Sequence, residues 1–301
     1  MQKSRRLNSN GVNLHIAEWG NPEQPTLLMV HGYPDSMQVW RDVADKLSTH
    51  LHVVAYDVRG AGLSDTPTAR GAYSLPQLAT DLKLVIEELS PDKPIHLLAH
   101  DWGSIQSWEV VTDPGMSSRI ASFTSISGPC LDHVGHWMRS RLRSGKLVEF
   151  SQALKQLASS WYIGFFQLPL LPSLLWRFGL LKAWPLLLKR SEGIQKQNTR
   201  AEALRKNALN GIQLYRENVA LRLRAPRDRH TDIPVQLIVP TRDKFLRPPL
   251  YQDMGQWVTT LQRIDIDAGH WLPLSHPDWL AERVLAFVQS SPPDKVVGRQ
   301  P

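Results

Sequence analysis

The sequence predicts an α/β fold: a mostly parallel twisted sheet covered by helices on both faces and interrupted once by an inserted helical cap. Three observations carry this expectation. Short apolar runs at residues 12–19, 26–30, 53–56, 95–99, 123–126, 235–239 and 264–266 have strand length, and most read as near-continuous apolar stretches, as strands buried on both faces do. Helical patterns at residues 40–47, 76–89 and 104–111 separate the early runs, and strand-helix alternation of this kind builds a parallel sheet. The rhythm stops near Pro129 and returns at Pro234, with helical periodicity and no convincing strand between. The chain accordingly divides into a core of residues 1–130 and 232–290, a cap of residues 131–231, and a polar, proline-containing, linker-like tail at residues 291–301. Inserted there, the cap would cover the carboxyl edge of the sheet, where such folds bind ligands.

Composition sets outer bounds. A chain of 301 residues that is 42% hydrophobic has ample material for a buried core. Cys130 is the sole cysteine, so no intramolecular disulfide forms. The first twenty residues mix Lys3, Arg5 and Arg6 with polar side chains and hold no apolar run before a cleavage site, which reads as an unexported, cytoplasmic chain. The net charge of +7 is unevenly spread: residues 131–231 carry 18 Lys and Arg against 6 Asp and Glu, a balance of +12, and the remainder is acidic. This basic segment is either a solvated helical surface or one attracted to an acidic substrate tail or to anionic lipid, the last with contact peripheral to a membrane. Nucleic acid is not expected, because no helix-turn-helix, zinc or RNA-binding signature accompanies the charge. Residues 161–188 contain only Arg177 and Lys182 as charges, but Pro169, Pro172 and Pro185 would break a single membrane span, so the stretch reads as a lid lining an apolar pocket.

The chemistry is concentrated at Ala99-His100-Asp101-Trp102-Gly103, where an apolar strand meets a helix through a small-x-nucleophile-x-small turn. Small residues two places either side of the apex let strand and helix close, and they push the apex side chain, here a carboxylate, into the open. A carboxylate attacks an electrophilic sp3 carbon to give an alkyl ester, so epoxides or alkyl halides are the expected substrates. Asp243 and His270 also follow strands, and the chain order nucleophile, acid, histidine is that of a triad in this architecture. His270 would be the general base, oriented by Asp243, with Asp132 a fallback acid. His31-Gly32-Tyr33-Pro34 follows the strand at 26–30, and its Tyr33 N–H, with that of Trp102, would receive a developing oxyanion. His31 reads as a residue that pins its loop, and residues 57–65 as a structural brace. No metal or organic cofactor is implied, because zinc-ligand clusters, phosphate-binding glycine loops and a dinucleotide fingerprint are all missing from the sequence.

On these motifs the chain, from about residue 11 to 288, resembles the α/β-hydrolase fold family and its epoxide hydrolases in particular. It is also similar to the hydrolase half of bacterial proteins in which such a domain precedes a short-chain dehydrogenase, which implies a fused or neighbouring dehydrogenase as partner. The segments around Tyr162 and Tyr215 resemble the two cap segments that supply ring-opening tyrosines in those enzymes. A phenol pair suits an epoxide, whose departing oxygen stays in the product and must receive hydrogen bonds and a proton. The resemblance therefore implies a hydrolase that converts a small apolar epoxide and water to a diol. Two alternatives share these features: a haloalkane dehalogenase, whose family commonly carries asparagine where this chain has Tyr33, and a non-catalytic lipid-docking module. A fluoroacetate-type dehalogenase would carry arginine at the position of Trp102.

Overall fold

The computed structural model describes residues 3–194 and 200–291; of the tail expected at 291–301, all but Ser291 lies outside these residues. The strands are β1 (Lys3–Ser9), β2 (Val12–Trp19), β3 (Thr26–Val30), β4 (His52–Tyr56), β5 (Ile95–His100), β6 (Ile120–Ile126), β7 (Val235–Pro240) and β8 (Leu261–Ile266), in one eight-stranded sheet of order β1-β2-β4-β3-β5-β6-β7-β8. From β4 across to β8 every pairing is parallel, and β1 and β2 add an antiparallel edge. Every residue of β3, β4, β5, β6 and β7 is buried, which is why these segments read as apolar runs.

Both edges differ from the sequence expectation for one reason. β1 is Lys-Ser-Arg-Arg-Leu-Asn-Ser, largely exposed, and its charges guard an open strand edge while hiding it from a hydrophobicity reading. Its signal is Asn10-Gly11, both with positive φ, a two-residue turn that brings Ser9 opposite Val12. β8 is longer than residues 264–266 because Gln262 and Arg263 are exposed on the other edge.

Helices α1 (Arg41–Leu47), α2 (Leu75–Leu89) and α3 (Trp102–Val111) cover the sheet, joined after the last strand by α10 (Leu272–Ser275) and α11 (Pro277–Ser290). In α2 the buried side chains Leu75, Leu78, Ala79, Leu82, Val85 and Ile86 fall at helical spacing on one face. Between β6 and β7 stands a helical insertion: α4 (Leu131–Arg143), α5 (Leu147–Ser159), α6 (Trp161–Gln167), α7 (Leu171–Leu175), α8 (Leu181–Glu192) and α9 (Ala201–Arg224), with α7 running into α8 through a wider turn at Trp176–Leu180. Among the described residues no single helix is long and apolar enough to cross a membrane; Trp161–Gln167 and Leu171–Glu192 qualify only together, as a pair bent by 105°.

Two polar systems fasten the insertion. Asp132, the fallback acid of the sequence reading, is fully buried and receives Arg229 Nε at 2.7 Å and Arg227 Nη2 at 3.1 Å, while Arg229 and Arg222 also reach Glu109 on α3 at 2.6 and 3.0 Å. It is a clamp at the root of the insertion, and the fallback role is withdrawn. On the other side α9 grips the loop between β4 and α2. Asn207 accepts from Gly62 N, Asn210 donates to Gly60 O, Glu217 accepts from Tyr73 N, and Asn218 accepts from Leu75 N at 2.7 Å. Within that loop Asp57 accepts from Met37 N and Leu63 N, and Arg59 is paired with buried Asp81 at 2.6 Å. Residues 57–65 thus brace the loop, as expected, and also anchor α9.

Candidate active site

Asp101 sits between β5 and α3 with φ 52° and ψ −125°, a conformation costly for a residue with a Cβ and sustained by its surroundings. Its N–H donates to Ile126 O at 3.0 Å. A Cβ on Gly103 would come within 2.1 Å of Val30 O, so the small residue that the turn demands is needed for strand contact. A second buttress escaped the sequence reading. Gly128, just past β6, packs so tightly that a Cβ there would lie 2.2 Å from Asp101 O, and its carbonyl accepts from Ser104 Oγ at 2.6 Å and Trp108 Nε1 at 3.1 Å.

The loop after β3 closes over the turn. Tyr33 N–H donates to Asp101 Oδ1 at 2.7 Å, and the Trp102 N–H, in the first turn of α3, has no partner within its own helix. Gly32 separates them: a Cβ there would fall 2.3 Å from Asp101 Oδ1 and 2.7 Å from Trp102 N. Gly32→Ala should therefore displace the carboxylate or the loop, lowering stability by about 1–3 kcal/mol and activity by about a hundredfold. Thermal unfolding and kcat/KM together check this, and native values in both would show that the loop yields freely. His31 pins the loop as expected, accepting from Val58 N through Nε2 at 2.9 Å.

His270 and Asp243 approach from the ends of β8 and β7. His270 Nδ1 is 2.8 Å from Asp243 Oδ2, and His270 Nε2 is 3.6 Å from Asp101 Oδ2. The other Asp243 oxygen accepts the N–H groups of Phe245 and Leu246 at 2.8 and 3.1 Å. Burial alone would push the Asp243 carboxyl up, but His270 and these N–H donors hold it below its ordinary value. Burial likewise opposes charge on His270, yet the carboxylates of Asp243 and Asp101 lift its pKa well above the usual imidazole range. His100, which precedes Asp101, is kept at about 4 by burial and is therefore neutral; its Nε2 lies 2.9 Å from His270 O and fixes the backbone of His270. Asp35, beyond the Tyr33 loop, accepts Trp271 Nε1 at 3.0 Å, and burial pushes its carboxyl up to about 7. Neither contact is visible in sequence, because each joins residues more than 160 positions apart.

A cavity of about 270 Å³ opens above Asp101, and Tyr162 on α6 and Tyr215 on α9 both line it. Their rings meet edge to face at 5.8 Å, and Tyr215 packs 4.9 Å from Trp102. Burial, followed for Tyr162 by the nearby Asp101 charge and for Tyr215 by Tyr162, raises both phenols well above their ordinary value, so both are neutral O–H donors. Most other lining side chains, among them Ile105, Leu131, Met138, Leu157 and Val219, are apolar. Arg216 acts as a strut between the tyrosine helices, donating from α9 to Phe166 O at 2.8 Å and to Leu168 O at 2.5 Å. The structure thus brings Asp101, His270, Asp243, Tyr162, Tyr215 and the Tyr33 and Trp102 N–H groups to one place. Among the described residues no group of three or more His, Cys, Asp or Glu side chains is arranged to hold a metal.

Residues 25–277 match the model of the alpha/beta hydrolase fold family. The chain is 37% identical to the protein named Probable oxidoreductase EphD of Mycobacterium tuberculosis, covering 100% of this chain and 51% of that one. It therefore spans about half the length of that relative. It is 28% identical to Epoxide hydrolase 1 of Caenorhabditis elegans, covering 95% of this chain and 70% of that one. An epoxide hydrolase from Bacillus megaterium, solved with an inhibitor, shares the fold with a TM-score of 0.78 at 24% identity, over 95% of this chain and 100% of that chain.

Proposed function

The chain belongs to the alpha/beta hydrolase fold family, and from that premise we propose that it opens an apolar epoxide to a vicinal diol through an ester on Asp101. The observation that carries this reading is the pair of neutral phenols, Tyr162 and Tyr215, lining the same cavity as the Asp101 carboxylate. Asp101 Oδ2 attacks a ring carbon while the C–O bond breaks, and the phenols bind the departing alkoxide and supply its proton. Oδ1, already held by Tyr33 N–H, remains the ester carbonyl oxygen.

The second step follows from charge. Ester formation removes the negative charge of Asp101, one of the two anions that hold the proton on His270, so the imidazolium gives up that proton, by way of solvent, to the tyrosinate left by ring opening and becomes a free base. Oriented by Asp243, it takes a proton from water that attacks Cγ of the ester; the oxyanion forms on Oδ1 between the N–H groups of Tyr33 and Trp102, and collapse expels the alkoxide, which takes the proton of the new Asp101 carboxyl and leaves as the diol.

Haloalkane cleavage has less support, because that reaction calls for N–H donors around the halide. The Tyr33 side chain packs beneath α9 with its O–H donating to Ala208 O at 3.2 Å. EphD carries an oxidoreductase name on a longer chain, and these 301 residues lack a dinucleotide fingerprint. We assign that chemistry in EphD to the half outside the match, and a fused or neighbouring short-chain dehydrogenase to this hydrolase.

The test is a panel of epoxides, 1-haloalkanes and esters of matched chain length, with products identified. Diol from the epoxides is the expected result. Alcohol with free halide from the haloalkanes alone would establish the dehalogenase, and silence on all three classes would favour the non-catalytic module.

A further inference from the structure

The basic charge of the insertion is unevenly used. Arg222, Arg227 and Arg229 are spent on Glu109 and Asp132, Arg141 is paired with Asp253, and Lys206 and Arg216 bond carbonyl oxygens. Of the rest, Arg143, Arg200, Arg205 and Arg224 are exposed on or beside α4 and α9, and five more cations lie on the outer helices α5 to α8. Lys155, Arg177, Lys182, Lys189 and Arg190 are exposed there, and none has an ion-pair partner among the described residues. The two acids of the same stretch are half-buried, Glu149 against Lys146 and Glu192 against the backbone of Trp271.

The same helices turn their apolar faces outward. Of 17 large hydrophobic side chains exposed among the described residues, 14 lie between residues 147 and 187. Leu147, Phe150, Leu154 and Leu157 follow one another at spacings of three and four, a stripe along α5 that faces solvent and is continued by Trp161 at the start of α6, with Leu147 87% and Trp161 68% exposed. Leu171, Leu174, Leu175 and Phe178 repeat the pattern along α7 and the turn after it, with Phe178 79% exposed. Exposed apolar surface on this scale marks an interaction site, and leucine with tryptophan or phenylalanine beside Lys and Arg is the composition of an interfacial helix.

We propose that the outer face of α5 to α8 docks on the surface of an anionic lipid bilayer, its apolar stripes entering the headgroup boundary and its lysines and arginines meeting lipid phosphates. Charge decides against a second copy of this chain. A two-fold contact would set the unpaired cations of one face against those of its mate, whereas anionic headgroups neutralise them. The cavity supports the same occupant, because Leu157 and Gly164 both line it and are exposed on this face, so an apolar molecule dissolved in lipid reaches Tyr162 through the docked side. The docking goes beyond the proposed reaction and stands without it.

Co-sedimentation of the chain with phosphatidylcholine vesicles, alone or mixed with phosphatidylglycerol, tests this. The bound fraction should be about tenfold higher on the anionic vesicles at low salt, and should fall as ionic strength rises from about 0.01 M to about 1 M and the screening length shrinks from about 30 Å to about 3 Å. A Leu147→Gln, Leu154→Gln, Phe178→Gln variant and an Arg177→Gln, Lys182→Gln, Lys189→Gln variant should each lose most of that binding with an unchanged thermal midpoint. Equal binding to both vesicle types, or binding to neither, overturns the proposal. So does a dimer in solution that the apolar variant dissociates while vesicle binding stays at the native level.

Discussion

A His270→Gln variant is expected to alkylate itself once and stop. In the proposed mechanism attack on the epoxide requires Asp101 and the two phenols, whereas His270, with Nε2 3.6 Å from Asp101 Oδ2 and Nδ1 2.8 Å from Asp243 Oδ2, acts on water. Intact-protein mass should therefore rise by one substrate mass, and steady-state turnover should fall by about 10⁴-fold or more. The pH dependence of the native enzyme carries the same argument. In the free enzyme the carboxylates of Asp243 and Asp101 keep His270 protonated above the ordinary imidazole range, and the ester relieves one of them. Release of diol from preformed alkyl-enzyme should thus increase with pH as His270 loses its proton, at a midpoint below that of the same histidine in the free enzyme. If the variant forms no adduct with any substrate that the native enzyme turns over, direct attack of water on the epoxide becomes the better mechanism.

The Tyr162→Phe, Tyr215→Phe double variant should lose nearly all ring opening. Either phenol alone can still donate to the epoxide oxygen, so each single variant keeps partial activity, lowered by about a hundredfold. Without both, the alkoxide forms in an apolar cavity with neither a donor nor a proton, and the combined loss should reach about 10⁴-fold or more. Both rings stay in place, so the edge-to-face packing at 5.8 Å and the contact with Trp102 survive, and the thermal midpoint should hold. A halide leaves without a proton. An enzyme whose best substrate is turned over at near-native rate by the double variant is no epoxide hydrolase.

Legibility in the sequence followed the burial of each element. β3 to β7 are buried on both faces and announce themselves as apolar runs, whereas β1 carries Lys3, Arg5 and Arg6 on an exposed edge and was legible only through Asn10-Gly11. Asp101 was legible because its turn needs small residues at fixed offsets, and Asp243 and His270 because each follows a strand. The contacts of His100 and Asp35 were not, since both depend on β5, β8 and the Tyr33 loop meeting in space. Asp132 misled for a related reason: nothing local reveals that three arginines distant in sequence converge on it.

The strut formed by Arg216 separates what this molecule must keep from what it can change. It ties the end of α6 to α9, and α9 is tied through Asn207, Asn210, Glu217 and Asn218 to the backbone of the 57–75 loop, so both phenols are referred to the sheet by polar bonds. Most of the remaining cavity wall is apolar, with Val134 and Met138 from α4 packed on the core and the exposed Leu157 from α5 at its edge. Substitutions on that wall alter the shape of the space without touching the strut or the hydrogen bonds that orient the reacting groups. Under the proposed reaction, changes to that wall would therefore alter which substrates fit while leaving the reacting groups in place.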